Sequence, residues 1–154
     1  MRTNFSISLE KIISEFSLEI LNMPAEPEKI AVTTAEVNRP GLHMAGYFEF
    51  FDEKRIQIIG KSEESFILRF TPEKAESRLR EFFSHKPAAV IICRDLQVGE
   101  VYKRIAEEYG VPLLRTSEST SDFTAALIAF LNLSLAPRVT RHGVLVEVYG
   151  EGIL

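Results

Sequence analysis

The sequence predicts an α/β fold, a mixed but mostly parallel sheet with flanking helices on both faces, three layers in all. Three observations carry that prediction. Residues 88–93, Ala-Ala-Val-Ile-Ile-Cys, form an uninterrupted apolar run of the kind a central strand covered on both faces requires. From Arg55 onward, short apolar runs alternate with helical segments of about ten or more residues, the spacing of right-handed βα crossovers. The last long helical pattern, at residues 119–135, repeats its apolar positions at a helical period.

Taken in order, Ser8 is placed to cap a first helix whose apolar face is Leu9, Ile12, Ile13 and Phe16. Residues 18–21 read as a strand, 24–27 as a polar loop and 30–34 as a second strand. Residues 36–41 read as a loop in which Asn38 and Gly41 are free to take positive φ and Pro40 fixes the turn. Residues 42–51 read as an aromatic-rich helix or helical turn, with Tyr47, Phe48, Phe50 and Phe51 counted toward the core. Ile56 to Ile59 is a short strand, followed by helices at 62–70 and 71–84; Ala75, Leu79, Phe82 and Phe83 make the inner stripe of the second. Val98, Val101, Tyr102, Ile105 and Tyr109 place the next helix, Gly110 stops it, and 111–114 supply another strand. Ser119 caps the final helix, whose Phe123, Leu127, Ile128, Leu131 and Leu135 face inward until Pro137 closes it.

Beyond Pro137, Val144, Val146 and Val148 alternate with Leu145, Glu147 and Tyr149 as in a strand, and Ile153-Leu154 begins a returning one. Stopping there would leave an exposed edge, so a chain cut at a domain border is expected. The division is residues 1–135 as one α/β domain and 136–154 as a linker with the first strands of a second, the hinge lying at 136–140.

Composition narrows the function. The 154 residues are 45% hydrophobic and 26% charged, the balance of a folded domain. A net charge of −4 disfavours sequence-blind nucleic-acid binding. The lone Cys93 excludes an internal disulfide and a cysteine-based zinc cluster, and a buried reduced thiol suits a cytoplasmic location. No signal core opens the chain, and the apolar stretch at 123–136 is too short to span a bilayer, so neither secretion nor a membrane partner is expected.

Gly60-Lys61-Ser62 imitates the end of a phosphate-binding loop, but Arg55 stands where the pattern needs its first glycine; a helix-start turn is the better reading. Polar groups end three strands at Lys61, Arg94 and Arg115. Together with Ser117 and Ser119, these cations can converge on an anion at the carboxyl edge, where open sheets bind ligands at a reversal of strand order. Strand ends are polar in any case, since loops face water. Arg39 is either a docking group or a solvated loop arginine. His43 and His85 have no ligand-spaced partner, so no metal site is expected. His142 reads on its own as a turn histidine bonded to nearby backbone.

Two segments carry a resemblance. His142-Gly-Val-Leu-Val-Glu-Val-Tyr-Gly-Glu-Gly-Ile-Leu154 resembles the segment that leads into the P-loop of the bacterial HPr(Ser) kinase/phosphorylase family. Residues 37–51 (Val-Asn-Arg-Pro-Gly-Leu-His-Met-Ala-Gly-Tyr-Phe-Glu-Phe-Phe) and 55–61 resemble that family's amino-terminal domain, itself similar to the amino-terminal domains of peptidoglycan ligases. Leu114-Arg-Thr116 and Leu135-Ala-Pro-Arg138 extend the similarity, which runs from about Ile30 to Leu154. Glu147 stands where the family more often has Asp.

The resemblance implies that the intact protein is a cytoplasmic, bifunctional kinase/phosphorylase that regulates carbon metabolism through the phosphotransferase system. It would phosphorylate a serine of the phosphocarrier HPr with ATP and magnesium, and reverse this with phosphate. It also implies a hexamer, and it places His142 near the transferred phosphoryl group. This chain holds no Gly-x-x-x-x-Gly-Lys-Ser/Thr pattern, so it is expected to bind no nucleotide and to be inactive alone. The other reading is a stand-alone small-ligand or anion-binding regulatory domain. Residues 144–154 are expected to be disordered or partner-swapped in isolation.

Overall fold

The computed structural model describes residues 5–137. The chain opens with β1 (Ile7–Ser8) and α1 (Leu9–Phe16), where the Ser8 hydroxyl accepts from the Lys11 amide at 3.3 Å and Ser17 ends the helix at φ 52°. Then come β2 (Glu19–Asn22), a 3₁₀ turn (Pro27–Lys29), β3 (Ala31–Val32), β4 (Val37–Asn38) and α2 (Gly41–Met44). The remainder is β5 (Ile56–Ile59), α3 (Lys61–Leu68), α4 (Pro72–Ser84), β6 (Ala89–Ile92), α5 (Glu100–Tyr109), β7 (Leu113–Arg115) and α6 (Thr120–Leu135).

Local chemistry sets these boundaries. Thr71 caps α4 through Lys74 N–H with Pro72 at the first helical position, Gly110 stops α5 at φ 69°, and Ser119 caps α6 through Asp122 N–H.

The main sheet has the order β2-β7-β6-β5-β4. β4 to β7 are parallel, and β2 runs antiparallel to β7. β1 and β3 form a separate antiparallel pair. Every residue of β5 and β6 is buried, as expected for strands with helices on both sides. Ile56, Ile58, Ala89, Ile91 and Leu114 pack with Leu9, Ile12, Phe123, Leu127 and Leu131, so α1 and α6 cover that face. Ile59, Val90, Ile92 and Leu113 pack with Leu79, Phe82, Phe83, Tyr102 and Ile105, so α4 and α5 cover the other. The three-layer α/β fold is therefore present.

Several expectations need correction. Residues 36–41 are not simply a loop: Val37 and Asn38 pair with Ile56 and Gln57 as an edge strand, and Asn38 Nδ2 donates to Gln57 Oε1 at 2.7 Å. Neither Asn38 nor Gly41 has positive φ; the turn glycine of this region is Gly46, at φ 105°. That turn limits α2 to four residues. The aromatic cluster divides, with Phe48 and Phe51 turning inward while Tyr47 and Phe50 are 47% and 79% exposed. The parallel strands follow one another in chain order, so the carboxyl edge has no reversal between neighbours. Of the expected linker, only Ala136, in extended conformation, and Pro137 fall within the described residues.

Candidate functional site

The carboxyl ends of β4, β5 and β6 deliver Arg39, Gly60 and Cys93 to one edge, and the first turn of α6 brings Thr120 over them. Glu63 organises this edge. It is the third residue of α3, 5% exposed, and its Oε1 accepts from the Gly60 amide at 2.8 Å. That contact is the carboxylate half of a capping box and ties down one of the free amides at the helix start. The same carboxylate takes a two-pronged contact from Arg39, whose Nη2 donates to Oε1 at 2.7 Å and whose Nε donates to Oε2 at 2.9 Å. A two-bond guanidinium–carboxylate pair is directional and strong, and it offsets the cost of burying Glu63. Arg39, though 44% exposed, is therefore not an idle loop arginine: it fastens the end of β4 to α3.

Gly60 is required by proximity. A Cβ there would lie 2.5 Å from Thr120 Oγ1 and 3.1 Å from Arg39 Nη2, so a larger residue would force the Thr120 and Arg39 side chains to shift. The Gly60-Lys61-Ser62 segment is a helix start, as expected, and its amide already serves the Glu63 carboxylate. A nucleotide phosphate does not fit a turn whose donor is so engaged and whose upstream Arg55 is paired with Glu36.

Cys93 is wholly buried below this edge. Burial pushes its thiol up to about 11, against the opposing influence of the Thr120 hydroxyl, Arg39 and Arg94. Iodoacetamide should therefore label the folded protein at pH 8 about a hundredfold more slowly than a free thiol, measured by mass spectrometry with and without urea. The folded value lies above the ordinary 9.0, so the associated stability is complete below about pH 9 and is lost as pH rises toward about 11. Tyr102 acts in the same direction, raised by burial and by Glu64, which accepts its hydroxyl at 2.7 Å.

The three cations expected at an anion edge have separate fates. Arg115 is committed elsewhere: Nε and Nη2 each donate to Glu19 at 3.0 Å and Nη1 to the Leu96 carbonyl at 3.1 Å. It clamps β7 to β2, so of the three cations expected to converge at the edge Arg115 is the one already bonded within the fold. Lys61 and Arg94 are exposed, and no ion pair among the described residues involves them. Arg94 sits at φ 62° and Asp95 at φ 51°, a left-handed pair held by Arg94 N–H to Glu118 O and Asp95 N–H to Thr116 O, both 2.9 Å. Ser119 serves as a helix cap. His142 lies outside the described residues.

Elsewhere, His43 and His85 flank Phe48, with ring centroids 5.4 and 4.0 Å from it, and their Nδ1 atoms bond the Tyr47 and Glu81 carbonyls at 2.8 Å. Among the described residues no group of three or more His, Cys, Asp or Glu is placed to hold a metal, and no helix is long and apolar enough to cross a membrane. A cleft of about 430 Å³ between α1 and α6 is lined by Glu15, Glu118 and Asp122, which would repel an anion. Sequence reading overlooked Glu63 and Thr120. The Gly60-x-x-Glu63 spacing was a usable capping signal for Glu63; nothing local marks Thr120.

Residues 7–131 match the family described as HPr Serine kinase N terminus. The HPr kinase/phosphorylase of Lachnoclostridium phytofermentans is 38% identical over 150 residues, and that of Caldicellulosiruptor bescii 42%. Each alignment takes in 97% of this chain and 48% of the relative, so the chain spans about half the length of the curated relatives it matches. The fold is shared with a crystal structure of the CBS and DRTGG domains of the regulatory region of Clostridium perfringens pyrophosphatase, complexed with its activator diadenosine tetraphosphate. The TM-score is 0.56 at 17% identity, over 84% of this chain and 50% of that one. A match across residues 7–131 takes in all but part of the last helix of the described fold, and by it the chain belongs to the HPr serine kinase amino-terminal family.

Proposed function

We propose that this chain is the non-catalytic amino-terminal part of a bifunctional HPr serine kinase/phosphorylase. The intact protein phosphorylates a serine of HPr with ATP and magnesium and removes the phosphate by phosphorolysis, so regulating carbon use through the phosphotransferase system in the cytoplasm. The observation that supports this reading is the 37–42% identity to proteins named HPr kinase/phosphorylase over nearly the whole chain. The Gly60 amide is engaged by Glu63 and no grouped metal ligands occur among the described residues, so ATP and magnesium are proposed to bind outside them. His142 is the residue of this chain proposed to approach the transferred phosphoryl group, and the whole enzyme is proposed to be a homo-hexamer.

The test uses the product of the uninterrupted reading frame. It should transfer the γ-phosphoryl group of ATP to a seryl side chain of HPr, and inorganic phosphate should reverse the transfer, both followed by intact mass. Residues 1–154 alone should leave HPr unchanged. A full-length product that does not modify HPr overturns the reading.

A further inference from the structure

We propose that the carboxyl edge of β4, β5 and β6 binds a small ligand bearing a phosphate group, with Arg39 as the fork that receives it and Lys61 and Arg94 as flanking cations. Glu63 engages Arg39 by its Nε and Nη2 side only. That leaves the Nη1 and outer Nη2 hydrogens of a side chain that is 44% exposed, and a guanidinium fixed on one side presents this second pair of donors at the spacing two phosphate oxygens accept. Capping α3 does not need the arginine, because Glu63 already receives the Gly60 amide. Burying a carboxylate is costly, and a hydrophobic contact fastens a strand to a helix at least as well. What the pair supplies beyond fastening is an oriented, half-exposed guanidinium.

Its surroundings suit the same ligand. Lys61 follows Gly60 directly, and Arg94 follows Cys93 at the end of the adjacent strand. The Cys93 amide donates to the Ile59 carbonyl at 2.9 Å, beside Gly60, and both Thr120 and Arg39 pack on Gly60, so these groups meet at one edge. The amides of Thr120 and Ser121 open α6 and have no intrahelical acceptor, adding donors at that edge. Asp95 and Glu118 flank Arg94 on the loop side, and the chain's charge is −4. A compact anion fits this setting, whereas an extended polyanion would meet repulsion. Binding at this edge does not depend on kinase activity and can be measured without any phosphoryl transfer.

Titration calorimetry with pyrophosphate is the experiment. Saturable one-to-one binding is expected, weakened by salt and accompanied by slower alkylation of Cys93. Arg39→Lys keeps the charge beside Glu63 but loses the fork, and should weaken binding about tenfold or more. Lys61→Ala combined with Arg94→Ala, which leaves the Arg39–Glu63 pair intact, should weaken it by a similar factor. Lys54→Ala, at the opposite edge of the sheet just before β5, should leave it unchanged. Circular dichroism confirms that each variant is folded. No saturable binding by the unmodified protein overturns the proposal, and so does equal affinity in Arg39→Lys or equal loss in Lys54→Ala.

Discussion

Phe82→Ala lowers the unfolding free energy by about 4 kcal/mol, read as a fall in the urea midpoint at unchanged slope. The side chain is completely buried on the inner stripe of α4. It meets Phe83 edge-on at 5.2 Å between centroids and Phe51 at 6.3 Å, and it packs in the same cluster as Ile59, Val90 and Ile92 of the sheet. Truncation loses the transfer free energy of the ring and leaves a cavity that two flanking phenylalanines cannot both close. Phe51 belongs to the loop between α2 and β5, so that loop should loosen as well, which raised proteolysis between Gly46 and Phe51 would report. A loss under about 1.5 kcal/mol would show that α4 can settle into the space.

Arg39→Ala comes second, at about 2–3 kcal/mol by the same urea measurement. The loss falls below the range for a wholly buried pair because the arginine side chain is 44% exposed, while the 5% exposed Glu63 is left with the Gly60 amide as its donor. The effect should be asymmetric. Glu63→Ala costs less on the electrostatic side, since a half-exposed guanidinium can turn to water, and the double variant should cost clearly less than the sum of the two. Equal and additive losses would mean that the two side chains act separately and that the pair does not hold the edge.

These two residues also show what the sequence could reveal. Phe82 was legible because α4 is long, capped at Thr71 and periodic, and the same holds for α5 with its Gly110 stop and α6 with its Ser119 cap. β5 and β6 were legible as apolar runs bounded by helices. Short pairings were not: Ile7–Ser8 and Val37–Asn38 are two residues each, and their strand character exists only because Val32 and Ile56 lie beside them. Leu42 to Phe51 read as one aromatic-rich helix or helical turn, yet the Gly46 turn sends Phe50 outward and Phe51 inward, a choice no local pattern records. The polar edge was legible as an edge but not in its pairing. Arg115 and Arg39 look alike in sequence, and only tertiary contacts decide that one meets Glu19 and the other Glu63.

The antiparallel edge strand has a consequence in time. β2 is made early in synthesis, but its partner β7 stands far downstream, and the Glu19–Arg115 contact joins positions 96 apart. The strand order of the sheet thus reverses the order of translation at this border, and β2 must wait, unpaired, until almost the whole domain has left the ribosome. Its docking closes the largest loop in the sheet, so among the strand pairings it carries the greatest cost in chain entropy.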